Sequence, residues 1–91
     1  MPYITPIARE AIDTYKLPRI TTAGELNYVI SSLIKNYLAT QVSFYEPYLN
    51  HNTYQHYNDV IGALEGAKLE FYRRVVVPYE EKKIEQNGDV Y

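Results

Sequence analysis

The stretch that decides the fold is YNDVIGALEGAKLEFYRRVVVPYEEKKIEQNGDVY, residues 57–91. Its apolar residues recur every three or four positions, which is the spacing of one face of an α-helix. They are Tyr57, Val60, Ile61, Leu64, Ala67, Phe71, Val75 and Tyr79. We expect this stripe to be the core face of a long helix. Pro78 cannot donate the helical hydrogen bond, so the helix should kink or restart there.

The end of this stretch predicts a short charged helix over residues 79–86. Asn87-Gly88 is a stop signal, and glycine suits the left-handed conformation that often ends a helix. The tail Asp89-Val90-Tyr91 is apolar at its end. It therefore favours docking on a core or on a neighbour over simple fraying.

Two more helices are predicted before residue 57. Thr22 and Glu25 have the three-residue spacing of a capping box, which predicts a helix over residues 23–40. Its apolar stripe consists of Leu26, Val29, Ile30, Leu33, Ile34, Tyr37 and Leu38. Thr5 and Pro6 predict the start of a shorter helix over residues 6–16. Residues 1–4 are expected to be extended.

Residues 41–52 interrupt the helical pattern and predict a loop, because Pro47 and an Asn-His-Asn cluster are typical of irregular structure. Apolar residues within it indicate that the loop folds over a core or a partner. Asn52 or Thr53 would then cap the long helix. Together these elements predict one all-α domain over residues 1–91: a short N-terminal helix, an antiparallel helical hairpin with a long second helix, and a proline-separated short C-terminal helix.

Composition narrows the possible functions. The formal net charge is −2, which does not suit a protein that binds the backbone of duplex nucleic acid. No apolar run is long enough for a membrane span, no signal peptide is evident, and the absence of cysteine fits a reducing cytoplasm. The chain has eleven tyrosines and no tryptophan. Tyrosine suits interfaces and pockets that are apolar on one side and solvated on the other, although it can also replace phenylalanine at the edge of a core.

A second stripe of the long helix lies opposite the predicted core face. Two glycines within a helix each cost about 1 kcal/mol relative to alanine, so a close neighbour on that side would explain them. We therefore predict a homo-oligomer, most simply two-fold, with an interface at Gly62, Gly66, Leu69, Val76, Val77 and Tyr91. The alternative is a solvent-facing side on which glycine is merely tolerated.

Cations and tyrosines near the proline predict a site for an anionic ligand. Tyrosine rings stack on bases, and arginine contacts phosphate or carboxylate in a bidentate manner. The candidate residues are Lys68, Tyr72, Arg73, Arg74 and Tyr79. The alternative is ordinary pairing along the helix, of Lys68 with Glu65 and of Arg74 with Glu70.

The sequence lacks the usual patterns of catalysis. His51 and His56 lie five residues apart across a loop–helix junction, so they are not spaced as metal ligands on one helix face. No serine has the context of a nucleophile, and no glycine loop would hold a phosphate. We therefore expect no catalytic residues, no metal and no cofactor. A phosphodiesterase built from carboxylates and tyrosines is the enzymatic alternative.

The segments GELNYVI (residues 24–30) and GALEGAKLEFYRRVVVPYEEKKIEQNGDVY (residues 62–91) resemble a family of small proteins of unknown function from bacteriophage and bacterial genomes. The ending PYE…NGDVY is the most specific part, whereas the first twenty residues and residues 41–56 match poorly. The resemblance implies a phage-related origin and supplies no activity. In size and helical layout, ALEGAKLE (residues 63–70) is also similar to small helical phage proteins that assemble and sequester cyclic oligonucleotides.

From these features we expect a non-enzymatic, oligomeric binding protein of the host-cell cytoplasm. It would sequester a cyclic nucleotide or another small anionic ligand as a counter-defence factor. Two alternatives remain open: an inhibitor or adaptor that docks on a host protein, and a structural or assembly component of a phage particle.

Overall fold

The structure is a computed structural model that describes residues 4–91, and this part of the chain contains helices and turns but no strand. The α-helices are α1 (Pro6–Asp13), α2 (Ala23–Thr40), α3 (Tyr54–Phe71) and α4 (Val77–Asn87). A first π turn, Gln41–Tyr45, follows α2, and a second π turn, Tyr72–Val76, joins α3 to α4. The predicted all-α class and the proline-separated C-terminal helix are confirmed. The extended segment predicted for residues 1–4 falls almost wholly outside the described residues.

The chain divides into two compact units, Met1–Asn50 and His51–Tyr91. Helices α1 and α2 belong to the first unit, and α3 and α4 belong to the second. The single domain and the antiparallel pairing of the two long helices stay predictions.

Helix α1 is shorter than predicted, ending at Asp13 and not at residue 16. Its start is as expected, because the Oγ1 of Thr5 accepts a hydrogen bond from the Ala8 N–H at 3.2 Å. At its end the Thr14 hydroxyl donates to the Ala11 carbonyl at 2.6 Å. A threonine side chain that binds the backbone in this way competes with further helical bonds, which accounts for the early stop.

Helix α2 has the predicted bounds, and its capping box is complete. The Glu25 N–H donates to Thr22 Oγ1 at 3.0 Å, and the Thr22 N–H donates to Glu25 Oε1 at 3.2 Å. The hydroxyl and the N–H of Thr21 add two further bonds to Glu25 Oε1, each of 2.7 Å. These bonds, led by the Thr21 hydroxyl, lower the pKa of Glu25. Reciprocal capping of this kind specifies where a helix begins.

The loop predicted for residues 41–52 is wrong in its first part, because the chain stays helical through the first π turn. The Glu46 N–H closes this turn on the Gln41 carbonyl at 2.7 Å. Glu46 then leaves the helical region, with φ −133° and ψ 56°, as expected for a residue before proline. A 3₁₀ turn, Pro47–Leu49, follows, and Asn50 adopts the left-handed conformation.

Helix α3 begins with Thr53 as its N-cap, which decides between the two predicted caps. The His56 N–H donates to Thr53 Oγ1 at 3.4 Å, and the Thr53 N–H donates to His56 Nδ1 at 3.1 Å. Because Nδ1 accepts this bond, it carries no proton. The imidazole therefore takes the place of the glutamate in an ordinary capping box.

No gap separates the second π turn from α4, which begins at Val77 with Pro78 as its second residue. Val77 keeps helical angles of φ −60° and ψ −48°, and its N–H donates to the Tyr72 carbonyl. A widened turn of this kind makes room for a proline ring that would otherwise clash with the preceding turn. Helix α4 therefore extends beyond the predicted residues 79–86 at both ends.

The end of α4 corrects one further prediction. Gly88 has φ 85° and ψ 156°, so its φ is positive but its backbone is extended and not left-handed. The Gly88 N–H still donates to the Ile84 carbonyl at 2.7 Å. The chain completes its last α-helical bond and then leaves the helix directly, through a conformation that favours glycine.

The predicted core face of the long helix lies at the surface. Among residues 4–91 no hydrophobic side chain is buried, and the large members of this stripe are between 39% and 64% exposed. They are Tyr57, Ile61, Leu64, Phe71, Val75 and Tyr79. Of the described side chains, His56 is buried, at 4% exposure. The unit that contains α3 does not bury this face by itself, because periodicity identifies an apolar face without supplying what covers it; its packing on α2 stays a prediction.

Candidate functional site

The second π turn carries the centre of the predicted ligand site. Tyr72, Arg73 and Arg74 all belong to it, Lys68 lies on α3 before it, and Tyr79 lies on α4 after it. π turns are rare and occur frequently at functional sites. The hydrogen bonds of each side chain show what the segment can do.

Two arginines hold one carboxylate. Arg73 Nη2 donates to Glu70 Oε1 at 3.2 Å and to Glu70 Oε2 at 3.0 Å. Arg74 Nε donates to the same Oε2 at 2.7 Å. The Arg74 bond is the main reason that the pKa of Glu70 is lowered. The predicted pairing of Arg74 with Glu70 is thus confirmed, and Arg73 joins it.

The arginine cluster, defined as Glu70, Arg73 and Arg74, is open to solvent. The two arginine side chains are 64% and 66% exposed, and the glutamate is 28% exposed. Two guanidinium groups that meet on one carboxylate can also meet on a phosphate or carboxylate of a ligand. Such a ligand would have to displace Glu70 or share the guanidinium groups with it.

Tyr72 spans the joint between the helices. Its hydroxyl donates to Glu80 Oε1 at 2.7 Å, across eight residues and past Pro78. Two turns of an ordinary α-helix take about seven residues. The wider π turn takes up one more, so these two side chains lie along the same face. This hydrogen bond is the main reason that the pKa of Tyr72 is raised, and the negative charge of Glu80 adds to it.

Lys68 pairs with Glu65 along α3, which is the simpler of its two predicted roles. Its Nζ lies 3.7 Å from Glu65 Oε1, three residues earlier on α3, and both side chains are exposed. An exposed pair of this length contributes little to stability. The ammonium group is therefore available to exchange partners at little cost.

Tyr79 lies beside a cavity that sequence reasoning missed. Lys83 Nζ lies 5.6 Å from the centre of the Tyr79 ring, a cation–π distance. An open cavity of about 310 Å³ runs from this pair to the end of α4 and the tail. Its other lining residues include Ile84, Asn87 and Tyr91. The four-residue spacing of Tyr79 and Lys83 is the signal that could have indicated the pair.

The structure therefore places the five predicted ligand residues against several different partners. Arg73 and Arg74 share Glu70, Lys68 faces Glu65, and Tyr72 binds Glu80. Tyr79 alone of the five lines the cavity at the end of α4. The arginine cluster is the one place where two of the five predicted side chains hold the same group.

The predicted interface residues differ in exposure. Gly62 is exposed, and a Cβ added there would meet nothing within 4 Å. Leu69 is also exposed, whereas Gly66, Val76 and Val77 are half-buried. In the tail, Val90 and Tyr91 are 91% and 110% exposed, and whether the tail docks on a core or on a neighbour stays a prediction. The interface itself stays a prediction.

Among residues 4–91 there is neither a metal-binding cluster nor a helix that could span a membrane. No group of three or more His, Asp and Glu side chains in this range is placed to hold a metal ion. None of the helices described in this range is both long enough and apolar enough to cross a membrane.

Comparison with known proteins gives a family and no activity. Neither a protein of curated function nor a solved structure matches the chain. The sequence model of the family described as "Domain of unknown function (DUF6899)" matches residues 1–90. The match thus includes the first twenty residues and residues 41–56, which the resemblance described above left out. The chain belongs to this uncharacterised family, DUF6899.

Proposed function

We propose that this chain is a non-enzymatic binding protein that works in an assembled state, with its apolar helix faces covered by association. One observation carries the proposal: no hydrophobic side chain among residues 4–91 is buried. Large apolar side chains along α3 stay exposed, and burying each one fully is worth about 1.5–3 kcal/mol. Association would cover the apolar faces that remain exposed, which is how small domains commonly gain stability.

Association predicts that stability depends on protein concentration. Binding that stabilises the folded chain raises the denaturation midpoint as the concentration rises. Urea unfolding at several concentrations, together with sedimentation of the folded protein, measures this directly. A sedimenting monomer whose midpoint is independent of concentration would contradict the proposal. Very large or open assemblies would favour the structural or assembly role in a phage particle.

A second candidate function is the binding of a small anionic ligand, and the arginine cluster favours it. Arg73 and Arg74 meet on one carboxylate, and both stay largely exposed. The phosphate of a nucleotide would compete with Glu70 for the guanidinium groups. Tyr72 directly precedes Arg73, and its exposed ring would stack on the base. The similarity of ALEGAKLE (residues 63–70), in size and helical layout, to small helical phage proteins that sequester cyclic oligonucleotides supports a counter-defence role of this kind.

Thermal shift with a panel of cyclic di- and trinucleotides tests this candidate. Changing Glu70→Gln should tighten binding, because it removes the carboxylate that competes for both arginines. Changing Arg73 and Arg74 to lysine should weaken binding while the charge is preserved, because lysine lacks the bidentate fork. Glu81→Gln is the matched control, since it removes an exposed carboxylate that lies outside the arginine cluster. An absence of any shift with the folded wild-type protein would refute the candidate.

A further inference from the structure

The exposed side of α3 has a regular spacing that the broad apolar stripe conceals. Six residues recur at alternating intervals of three and four, the spacing of the a and d positions of a coiled coil. They are Tyr54, Tyr57, Ile61, Leu64, Lys68 and Phe71, and we call them the α3 seam. All six are exposed, and all lie within the regular α-helix that ends at Phe71. At 1.5 Å per residue the seam is about 26 Å long.

Five of the six seam residues are hydrophobic or aromatic, and Lys68 is the exception. A single charged residue at an a position sets the register and direction of a coiled coil, because its charge must find a partner. Its neighbour Glu65 lies on the flank of the seam, 3.7 Å from Lys68 Nζ. The charges on the seam can therefore discriminate between possible partners.

Two copies of the seam could run parallel or antiparallel. In a parallel pair each residue faces its own equivalent, so the two Lys68 ammonium groups would share one layer and repel each other. In an antiparallel pair centred near residue 66, Lys68 of one copy lies level with Glu65 of the second copy. Ile61 then packs on Phe71 of the second copy, and Leu64 packs on the aliphatic stem of its Lys68. The antiparallel register thus pairs Lys68 with Glu65 and covers Ile61, Leu64 and Phe71.

We propose that the occupant of the α3 seam is a second copy of this chain, paired antiparallel through Lys68 and Glu65. This rests on the proposed function, since it names the partner and the face for the association inferred above. It also places the contact on the side of α3 opposite the glycines Gly62 and Gly66. The exposed Lys68–Glu65 pair within each of the two copies is exchanged for two Lys68–Glu65 pairs across the interface.

The direction of pairing can be tested by cross-linking, because the chain has no cysteine. Ala67→Cys lies close to the two-fold axis, so a short bismaleimide should join two copies of this variant efficiently. Ile61→Cys should give little product, because its two copies lie about 15 Å apart along the antiparallel axis. Efficient cross-linking of Ile61→Cys would overturn the antiparallel proposal in favour of a parallel pair. If neither variant cross-links while the protein sediments as an oligomer, the seam is refuted and association through another face survives. A monomer would refute both.

The charge pairing has its own test. Lys68→Glu places two negative charges at the centre of the seam, and Glu65→Lys places two positive charges there. Each variant alone should show at least a tenfold weaker self-association, and an equimolar mixture should recover it. Circular dichroism of each variant checks that α3 still forms. If mixing restores nothing, Lys68 and Glu65 interact only within one chain, and the proposed charge pairing is wrong.

Discussion

Each π turn, together with the proline that follows it, forms a joint. The two joints share a sequence pattern, but the helix ends after the first and continues after the second. Each spans five residues, and each is followed by a single residue and then a proline: QVSFY-E-P at residues 41–47 and YRRVV-V-P at residues 72–78. After the first, Glu46 leaves the helical region with φ −133°. After the second, Val77 stays helical with φ −60°, and α4 continues for 11 residues.

The difference teaches that the residues after the proline decide whether the helix continues. Pro47 is followed by YLNHN, in which asparagine and histidine are weak helix formers. Pro78 is followed by YEEKKIEQ, in which glutamate, lysine and glutamine are strong ones. Glu80 also places a negative charge in the first turn of α4 and accepts the Tyr72 hydrogen bond. Continuation therefore depends on local propensity together with a bond across the joint.

The largest effect is expected from breaking the helix after the second joint. Glu81→Pro removes an N–H inside α4 and forces a clash with the preceding turn, which costs about 3 kcal/mol of helix stability. The second joint should then behave like the first, and the helix should end near Pro78. Circular dichroism would show the loss of about two turns of helix, whereas Glu81→Ala should keep the full signal. A helix that survives Glu81→Pro would refute the role of the residues after the proline.

The next largest effect is expected at Asn50, the left-handed residue that follows the first joint. Asn50 has φ 49° and ψ 11°, a left-handed conformation that costs a β-branched residue about 1–2 kcal/mol. Asn50→Val should therefore lower the free energy of unfolding by about that amount, as measured by urea denaturation. Asn50→Gly is the matched control and should be neutral or slightly stabilising. Equal stability of the two variants would mean that the left-handed turn is not needed.

The third prediction concerns how the next helix begins after each joint. After Pro47 the chain needs a new N-cap at Thr53, whereas α4 has no side-chain cap because its helix never stopped. Thr53→Ala should cost about 1 kcal/mol, with the loss concentrated in the first turn of α3. Thr40→Ala removes a hydroxyl that donates to the Asn36 carbonyl within the helix, so it should change stability by less than about 0.5 kcal/mol. Amide hydrogen exchange at the start of α3 would distinguish the two.

The smallest effect is expected at the bond across the second joint. The pKa of Tyr72 is raised from 10.0 because its hydroxyl donates to Glu80. A raised pKa means that this stabilisation is fully present below pH 10.0 and is lost as the pH rises through the raised value. Tyr72→Phe should remove this dependence and increase hydrogen exchange near Pro78, while Tyr28→Phe on α2 should not. If the wild type and Tyr72→Phe lose stability alike above pH 10.0, the Tyr72 bond contributes nothing.

Local patterns explain which parts of the structure could be predicted. The start of α2 follows from the Thr22–Glu25 capping box, since both partners lie within one turn. The pairing of Arg74 with Glu70 follows from a four-residue spacing in the same way. The bond between Tyr72 and Glu80 could not be predicted, because pairing patterns on a helix concern residues three or four apart, whereas this bond spans eight residues across a π turn.

The cavity at the end of α4, within the candidate site, also could not be predicted from local sequence patterns. Tyr79 was singled out from its place near the proline, but Lys83 and Asn87 were not. Their contribution depends on the positive φ of Gly88, which directs the tail as it leaves the helix. A stop signal identifies where a helix ends, whereas the direction of the chain beyond it depends on both φ and ψ.

By itself, the amino-acid sequence determined the helical class, the start of α2 and the existence of an apolar face on α3. These depend on residues no more than four positions apart, which any α-helix brings together. Only the structure showed the two π turns, the Tyr72–Glu80 bond across the second of them, and the exposure of that apolar face. The physical reason is that burial requires a second surface, and helical periodicity specifies which side chains share a face without specifying what covers them.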